Sequence, residues 1–523
     1  MPTTVYGLCE RCKTRSPATH FVRDGKVYIR KDCPACGPGE RLVSTDAATW
    51  QRKRDIWHYD PEAVGPCDIN CLECAHPHRP RMVFLDVTNR CNMNCPICIN
   101  NTPSMGFVFE PPLEYFDKVL AGLAAMDPPP TVQLFGGEPT VRKDLFEIIE
   151  LCRKHGLRVR IVTNGLKLAD PEYCKRLCDA KVPVLLAFDG PEPEIYERLR
   201  KNTGALEKKL AALENLKKFS TRKNTIMVCV ARNINDRHMG GLIRFCHDNR
   251  RFIAALHLIP LTETWKEGEF ETDVHTTIED VERIIDEAVP DESVDFVPAG
   301  LGYKLDSLTR FFTSTRLTFG GVHPNCESMT LLLSDGERYH ALSHYLRRPV
   351  PEVAEEIVSL AERLGPGLEK LDPRRFWQRL RGQLRVIRAA WGPVRRSLDL
   401  ARIFRGRPLL AILRILGALA IGRQAKNVLR RNTRIQDALR MIVLPFEEYH
   451  SIDGARLRNC TAGFAFEDPD TGEVRTIPVC SFSLYKNDIQ RKLAAKYGPP
   501  AAPKPHPEAP SPPQGVDARG LPR

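Results

Sequence analysis

The sequence lacks a long uninterrupted apolar run, although 42% of its 523 residues are hydrophobic. Its most apolar stretch, PLLAILRILGALAIG at residues 408–422, contains Arg414, whereas a helix that spans a bilayer needs about 20 apolar residues. The start, MPTTVYGLCERCK, lacks the apolar segment of a secretory signal. We therefore expect a cytoplasmic protein that can lie at the inner face of the membrane but does not span it.

Acidic residues are scarce between residues 374 and 434, where seventeen basic residues accompany only Asp399. This segment carries a net charge of +16, whereas the whole chain carries +12, so the remainder is mildly acidic at −4. Basic segments of this kind contact membranes or nucleic acids, or form the solvated face of packed helices.

One helix of this basic segment is predicted from DPRRFWQRLRGQLRVIRAAWGP, starting after Asp372 and ending at Gly392-Pro393. Arginines flank a stripe of apolar residues, which are Phe376, Leu380, Leu384, Ile387 and Trp391. An apolar stripe beside basic residues is typical of helices that lie on a membrane surface. Simple helical packing remains an alternative, and nucleic-acid binding is the least favoured because exposed aromatic platforms are few.

Cysteine is plentiful, since ten of the eighteen cysteines fall in tight clusters between Cys9 and Cys98. A disulfide framework suits short secreted chains, so this clustering indicates metal sites. Cys9 and Cys12 form one C-x2-C pair, and Cys33 and Cys36 form another about twenty residues later. Two such pairs can bring four thiolates onto one tetrahedral ion, either zinc or a rubredoxin-like iron.

From Arg81 to Leu261 short apolar runs alternate with amphipathic helical stretches, which is typical of a parallel α/β fold. The six candidate strands are RMVFLDVT, TVQLF, RVRIVT, VPVLLAF, TIMVCVA and IAALHLIP. Right-handed crossovers between them predict a partial (β/α)6 TIM-like barrel, with a site at the carboxyl ends of the strands.

The spacing C-x3-C-x2-C occurs twice, in CDINCLEC at residues 67–74 and in CNMNCPIC at residues 91–98. Only the second copy directly follows a predicted strand, which places its cysteines where a barrel carries its chemistry. The second strand runs into GGEPT at residues 136–140, whose paired glycines permit a close backbone approach to a ligand.

The cysteine motif after strand one and GGEPT after strand two resemble the radical S-adenosylmethionine (SAM) superfamily over residues 79–265. This resemblance implies that Cys91, Cys95 and Cys98 hold a 4Fe-4S cluster whose fourth iron is open to SAM. It further implies that reductive cleavage of SAM produces a 5′-deoxyadenosyl radical, which abstracts hydrogen from an unactivated carbon.

The same resemblance assigns a part of the SAM site to Gly136, Gly137 and Glu138, which would receive the methionine amino group. Asn164 and Asp189 end the third and fourth strands, so they are candidate SAM or substrate contacts. Turn residues that cap a strand end are an equally good interpretation of these two positions.

Six further cysteines stand in motif-like settings: Cys67, Cys71, Cys74, Cys326, Cys460 and Cys480. They suffice for one four-cysteine cluster with two left over, or for two clusters that each borrow a non-cysteine ligand. Five more cysteines lie inside helix or strand patterns and are interpreted as small buried residues.

The Cys-rich start, FGGEPTVRKDLFEII, HPNC at residues 323–326 and the late pair RNC…IPVC are similar to the subgroup of tetraether lipid synthases and pterin methyltransferases. The similarity implies one mononuclear metal at the first four cysteines and one or two auxiliary 4Fe-4S clusters at the other six. It favours carbon–carbon bond formation on lipid tails, with methylation of a pterin or other small molecule as the alternative. The expected partners are a lipid or small-molecule substrate and a reductant such as flavodoxin or ferredoxin. The Arg-rich helices favour a membrane surface over nucleic acid as a further partner.

The expected domain organisation follows these motifs and the shifts in composition. The predicted units are a metal domain (1–78), the barrel (79–270), a barrel extension with Cys326 (271–345), an Arg-rich helical region (346–445), a Cys-containing segment (446–497) and a disordered Pro-rich tail (498–523).

Overall fold

The computed structural model describes most of the chain. It describes residues 3–60, 67, 69–74, 78–264, 269–312, 322–420, 425–448 and 450–498. The predicted Pro-rich tail, apart from Gly498, lies outside the described residues.

The N-terminal segment forms a four-stranded antiparallel sheet in sequential order. Its strands are β1 (Thr3–Leu8), β2 (Arg15–Arg23), β3 (Lys26–Cys33) and β4 (Gly37–Ser44). Burial alternates along β2 and β3, so one face of this sheet packs inward and the other faces solvent. Helix α1 (Ala47–Trp57) follows, and its first turn is capped by Asp46, which accepts hydrogen bonds from the backbone of Ala48 and Thr49.

The central unit contains all six predicted strands, paired in parallel and in chain order. They are β5 (Met82–Thr88), β6 (Thr131–Gly136), β7 (Val159–Thr163), β8 (Val184–Ala187), β9 (Asn224–Val230) and β10 (Ile253–Pro260). All seven residues of β5 are buried, as expected for a strand covered on both faces. The predicted fold class, an α/β partial barrel, is therefore confirmed.

Helices connect these strands and cover the outside of the sheet. They are α2 (Leu113–Ala124), α3 (Leu145–Lys154), α4 (Pro171–Asp179), α5 (Pro193–Ile195), α6 (Ala205–Phe219) and α7 (Met239–Asp248). In α3 the buried residues are Leu145, Ile148, Ile149 and Cys152, whose spacing of three and four places them on one stripe against the sheet.

The sheet extends beyond the six strands at both ends. The additional strands are β11 (Val297–Pro298), β12 (Ser328–Ser334), β13 (Tyr339–Ala341), β14 (Asp437–Val443), β15 (Ala462–Glu467) and β16 (Val474–Pro478). At one end β14 pairs in parallel with β10, and β12 pairs with β14 in the antiparallel sense. At the other end β15 pairs in parallel with β5, and β16 completes an antiparallel hairpin with β15.

Segments from the second half of the chain therefore belong to the central sheet. The Arg-rich helical region is predicted to extend from residue 346 to residue 445, but residues 437–443 form β14, which pairs with the edge of β10. The predicted segment 446–497 likewise supplies β15 and β16 to the same sheet. The boundaries between the predicted domains themselves remain predictions.

The remaining helices belong mostly to the C-terminal half. They are α8 (Ile278–Glu287), α9 (Leu301–Lys304), α10 (Asp306–Thr309), α11 (Val350–Leu368), α12 (Phe376–Ser397), α13 (Leu400–Ile403), α14 (Pro408–Ala420), α15 (Ala425–Asn432), α16 (Gly454–Arg458) and α17 (Val479–Tyr497). Among the described residues, none of these helices combines the length and apolar character needed to cross a membrane.

The ends predicted for the long Arg-rich helix α12 are wrong. The Asp372 carboxylate accepts a hydrogen bond from the backbone of Arg374, so it closes a turn that precedes the helix. At the other end the helix runs through Gly392-Pro393 to Ser397. Proline removes one backbone donor, but the next turn forms nevertheless, since the backbone N–H of Leu398 still donates to Val394.

Candidate active site

The loop that follows β5 carries Cys91, Cys95 and Cys98, and all three line one cavity of about 270 Å³. Asn89 holds the base of this loop, because its side chain donates to the carbonyl of Phe107 and accepts from the backbone of Phe109, both at 2.8 Å. The two hydrogen bonds tie the start of the loop to its end and keep the cysteines facing the cavity. Sequence analysis missed Asn89, although an asparagine directly after a buried strand is a signal for such a turn.

None of the three thiols of this loop takes part in a disulfide. Cys91 is exposed and the other two are half-buried, but the surrounding protein still excludes enough water to raise the pKa of Cys91 to about 12. The same desolvation raises the pKa of Cys95 despite the nearby Arg200 guanidinium. A thiol in such surroundings becomes a thiolate when it binds a metal cation. Three cysteines that converge on one cavity therefore fit a 4Fe-4S cluster, in which each thiolate binds a different iron.

The paired glycines at the end of β6 approach the backbone that leads into the cysteine loop. A Cβ atom on Gly136 would lie 2.2 Å from the carbonyl oxygen of Thr88, and one on Gly137 would lie 2.2 Å from that of Arg90. The backbone N–H groups of Gly137 and Glu138 donate to the same two carbonyls at 2.7 and 2.8 Å. In the structure the close contact that these glycines permit is with the chain itself, and their approach to SAM remains a prediction. They still line the cavity.

The Glu138 carboxylate is buried and holds the ends of β6 and β7 together. It accepts hydrogen bonds from the backbone and hydroxyl of Thr140, from the hydroxyl of Thr163 at 2.6 Å and from the backbone of Asn164 at 2.6 Å. The Asn164 amide in turn donates to Asn92 at 2.7 Å and lies 3.9 Å from the sulfur of Cys91. Glu138 and Asn164 both line the cavity, and their predicted contacts with SAM remain predictions.

Asp189 is fully buried, and its carboxylate is bound by Arg200 through two hydrogen bonds of 2.8 and 2.9 Å. Burial opposes its ionisation, but the Arg200 guanidinium outweighs this effect and lowers the pKa of Asp189. Arg200, rather than Asp189, lines the cavity. Asp189 therefore positions Arg200 at the cavity, and a direct cofactor contact by Asp189 remains a prediction.

Lys209 is a second cationic residue of the cavity that sequence analysis missed. Its ammonium group donates to the backbone carbonyls of Asn164, at 2.6 Å, and Ala187. Burial lowers the pKa of Lys209 to about 8. These contacts fix the carboxyl ends of β7 and β8 beside the cysteine loop.

Polar side chains from four strands line the interior of the barrel: Gln133 on β6, Arg160 on β7, His257 on β10 and Arg440 on β14. Several of their atoms have no hydrogen-bond partner among the residues that the structure describes. These are Oε1 of Gln133, Nε of Arg160, Nε of Arg440 and both ring nitrogens of His257. Polar groups buried in this way are costly unless something pairs with them, so their convergence on one cavity indicates a polar occupant.

Burial shifts the pKa values of two of these side chains, Arg160 and His257. Burial lowers the pKa of Arg160 to about 10, and burial together with the two arginines holds the pKa of His257 well below its usual range. His257 is therefore neutral and can both donate and accept a hydrogen bond. Sequence analysis missed these residues, although single polar residues inside the buried strands RVRIVT and IAALHLIP were a usable signal.

The six remaining motif cysteines fall into two groups of three. Cys326, Cys460 and Cys480 line the same cavity as the loop after β5. Cys67, Cys71 and Cys74 line a separate cavity of about 250 Å³, together with His78. Because each cavity receives three of these cysteines, the structure favours two clusters that each have a non-cysteine ligand. One four-cysteine cluster with two cysteines left over is less favoured.

Two of the four N-terminal cysteines, Cys9 and Cys12, lie in the turn between β1 and β2, whereas Cys33 ends β3 and Cys36 directly precedes β4. The sulfur atoms of Cys9, Cys12, Cys33 and Cys36 all lie within 4.8 Å of one another. Four thiolates this close fit a single tetrahedral ion.

The partial barrel and its cysteine loop define a radical SAM enzyme. The family model described as "Radical SAM superfamily" matches residues 85–246, and the model described as "HMPTM N-terminal zinc ribbon domain" matches residues 1–45. The ribbon match favours zinc at the four-cysteine site.

Similarity to individual proteins identifies the family within this class. The chain is 32% identical to the 7,8-dihydro-6-hydroxymethylpterin dimethyltransferase of Methanocaldococcus jannaschii over 350 residues, which are 64% of this chain and 69% of that protein. It is 34% identical to the AdoMet-dependent heme synthase of Methanosarcina barkeri over 149 residues, 28% of this chain and 41% of that one. The chain therefore belongs to the family of the pterin dimethyltransferase.

Solved structures also match this chain over part of its length. Native anSMEcpe with bound AdoMet covers 40% of this chain and 59% of its own, at 23% identity and a TM-score of 0.33. Streptococcus suis SuiB bound to S-adenosylmethionine covers 54% of this chain and 69% of its own, at 12% identity and a TM-score of 0.33.

Proposed function

We propose that this protein is a radical SAM methyltransferase that acts on a pterin or a similar small polar ring compound. The observation that carries the proposal is the similarity to the pterin dimethyltransferase, which extends over 350 residues. The match of residues 1–45 to the ribbon domain of HMPTM proteins supports the same assignment.

The chemistry of the cavity supports a polar substrate. A pterin carries ring nitrogens, an amino group and an oxo group, which can pair with the amide of Gln133, the guanidinium groups of Arg160 and Arg440, and the imidazole of His257. A hydrocarbon tail offers no hydrogen bonds, so it would leave these buried groups unpaired. Carbon–carbon bond formation on lipid tails, the first expectation from the sequence, is therefore the less supported function.

We further propose how the cofactors are held. Cys91, Cys95 and Cys98 would bind a 4Fe-4S cluster and leave one iron for SAM, because three thiolates serve four irons. When bound, such a cluster supplies the electron that cleaves a carbon–sulfur bond of SAM. The chain would position SAM between the cysteine loop and the end of β6, with Arg200 available for its carboxylate, while the barrel interior orients the substrate and excludes water.

The other cofactors and partners belong to the same proposal. Each group of three auxiliary cysteines would hold one 4Fe-4S cluster. The four-cysteine ribbon would hold zinc, with a rubredoxin-like iron as the alternative. A flavodoxin or ferredoxin would supply the electrons.

The test is turnover by the full-length protein after anaerobic reconstitution with iron and sulfide. Reduced hydroxymethylpterin would be supplied with a reductant and SAM, with and without a reduced folate that carries a one-carbon unit as a second donor. We expect 5′-deoxyadenosine and a methylated pterin, both detected by mass spectrometry. A Cys91→Ala, Cys95→Ala, Cys98→Ala variant is the control and should form neither.

One result would overturn this proposal in favour of the lipid function. In that result a lipid extract stimulates 5′-deoxyadenosine formation and yields a coupled lipid, whereas the pterin is neither methylated nor bound.

A further inference from the structure

Helix α12 exposes a continuous stripe of apolar side chains. The stripe consists of Trp377, Leu380, Leu384, Ile387, Trp391 and Val394, all of which are exposed. Their spacing alternates between three and four residues, so they share one face of the helix. At 1.5 Å per residue, the face is about 25 Å long. The largest members are also well exposed, with 76% of Trp377 and 47% of Trp391 accessible to solvent.

The core contact of α12 is made by a different set of residues. Val386 packs in a buried cluster with Phe311, Leu360 and Leu368. Gly382 faces the ring of Phe311 so closely that a Cβ atom there would lie 2.5 Å from it. This contact fixes the rotation of the helix, so the exposed stripe is additional to the surface that the fold requires.

Exposed apolar side chains are concentrated in this part of the molecule. Among the described residues, fourteen large hydrophobic side chains are exposed, and eleven of them lie between residues 376 and 429. Helix α14 contributes Leu409, Leu410 and Leu413, of which Leu409 is 68% exposed. Scattered exposed apolar residues need no explanation, but such a concentration marks an interaction surface.

Arginines border the stripe. Arg381, Arg385 and Arg388 each follow a stripe residue along the chain, and they line a shallow groove together with Trp377, Leu380 and Leu384. The segment from residue 374 to 434 carries +16, whereas the rest of the chain carries −4. A second copy of the chain would bring two such basic surfaces together, so charge complementarity favours an anionic occupant.

We propose that the exposed face of α12 docks on an anionic lipid surface. The apolar stripe would enter the boundary between headgroups and acyl chains, and the flanking arginines would contact lipid phosphates. This inference is independent of the proposed function, because it rests on the surface of α12 and not on the cavity. An enzyme with a polar substrate could therefore bind a membrane surface, and this binding does not require a lipid substrate.

The test is co-sedimentation of the full-length holoprotein with lipid vesicles. One set of vesicles contains phosphatidylcholine alone, and the other contains equal parts of phosphatidylcholine and phosphatidylglycerol. We expect binding to the anionic vesicles only, and we expect added salt to weaken it. Cluster content and the far-ultraviolet spectrum show whether each variant is folded.

Two variants separate the apolar and basic contributions. Replacing Trp377, Leu384 and Trp391 with serine should weaken binding at least about tenfold, because the large inserted side chains are lost. Replacing Arg381, Arg385 and Arg388 with glutamine should weaken binding about 100-fold, at roughly fivefold for each basic residue near an anionic surface. Val22→Ser is the matched control, since Val22 is 62% exposed on the N-terminal sheet and should leave binding unchanged.

Three outcomes would overturn the proposal. The first is binding to neither kind of vesicle, and the second is vesicle binding that both triple variants retain. The third is a concentration-dependent dimer, or a complex with RNA, that the triple variants abolish while vesicle binding is absent.

Discussion

The N-terminal ribbon and the loop after β5 both present clustered cysteines, but they differ in number and in surroundings. The ribbon brings four thiols within 4.8 Å of one another in two tight turns. The loop presents three thiols along a cavity that is also lined by Arg200, Lys209 and the polar groups of the barrel interior. Four close thiolates complete the coordination of one ion, whereas three thiolates for four irons leave a position open.

This difference separates a structural site from a reactive one. A closed tetrahedral site stabilises its fold and has no vacant position for a substrate. An open site needs neighbouring groups that orient whatever binds there, and the cavity supplies them. Four predictions test the contrast.

The largest expected effect is at the open site. Replacing Cys91, Cys95 and Cys98 with alanine should abolish SAM cleavage, because it removes all three thiols of the loop after β5. The metal content of the ribbon should not change, since the ribbon ligands are intact. Metal analysis and 5′-deoxyadenosine quantification would check both statements, and a retained SAM-dependent electron paramagnetic resonance signal would contradict them.

The second prediction concerns the polar interior of the barrel. Arg160→Met should lower kcat/KM for the substrate about tenfold to 100-fold, because a hydrogen bond from a charged group is worth about 1.5–3 kcal/mol. Most of the loss should appear in KM if the contact holds substrate and transition state equally. Arg158→Met is the matched control, since Arg158 is exposed two residues away on the same segment. Equal effects from the two variants would argue against a substrate contact.

The third prediction concerns the closed site. A Cys9→Ser, Cys12→Ser variant should lose the ribbon metal, which contributes about 10–16 kcal/mol to folding in zinc-finger peptides. The ribbon should become sensitive to protease, whereas most SAM cleavage should survive because the cavity lies elsewhere. Limited proteolysis and 5′-deoxyadenosine formation measure the two effects. Loss of SAM cleavage in parallel with the metal would mean that the ribbon takes part in the reaction.

The smallest expected effect is a pH dependence at the contact between the ribbon and the body of the protein. His20 on β2 is buried 3.7 Å from the Asp453 carboxylate, and burial lowers its pKa from 6.5 to about 4. Between these values the unfolded chain binds a proton that the folded chain does not, so stability falls as pH falls from 6.5 towards 4. The full effect is about 3 kcal/mol, at about 1.4 kcal/mol per pH unit.

Denaturant unfolding at a series of pH values would measure this dependence. His20→Gln should flatten the curve, because it removes the buried imidazole. An unchanged slope in the His20 variant would assign the pH dependence to another group.

The core of the fold was predictable from local signals. The six strands β5–β10 are short apolar runs separated by amphipathic helices, and each forms where its run occurs. The outer strands were harder, because the pairing of β14 with β10 and of β15 with β5 joins segments that are distant in the chain. The sequence DALRMIV does not indicate which strand of the sheet it pairs with. Because it follows a long basic helical stretch, a helix was also the expected structure.

The candidate site was predictable where the chemistry is carried by a motif. The three cysteines and GGEPT lie together as their spacing indicated, and the four ribbon cysteines converge. The roles of Arg200 and Lys209 were not predictable, since both lie on helical segments that only the folded barrel brings to the cavity. The polar interior was visible as Gln133, Arg160 and His257 within apolar strands, but a single polar residue does not reveal that several converge.

The pairing of β15 with β5 has a consequence for the order of events during synthesis. β5 is the first barrel strand to leave the ribosome, and its outer edge has no partner until β15 emerges almost four hundred residues later. A buried apolar strand with a free edge is a template for wrong pairing with another chain. Nascent chains of this protein should therefore need chaperones until β15 has been synthesised. Ribosome-bound fragments that stop before residue 462 should aggregate more readily than the full-length protein.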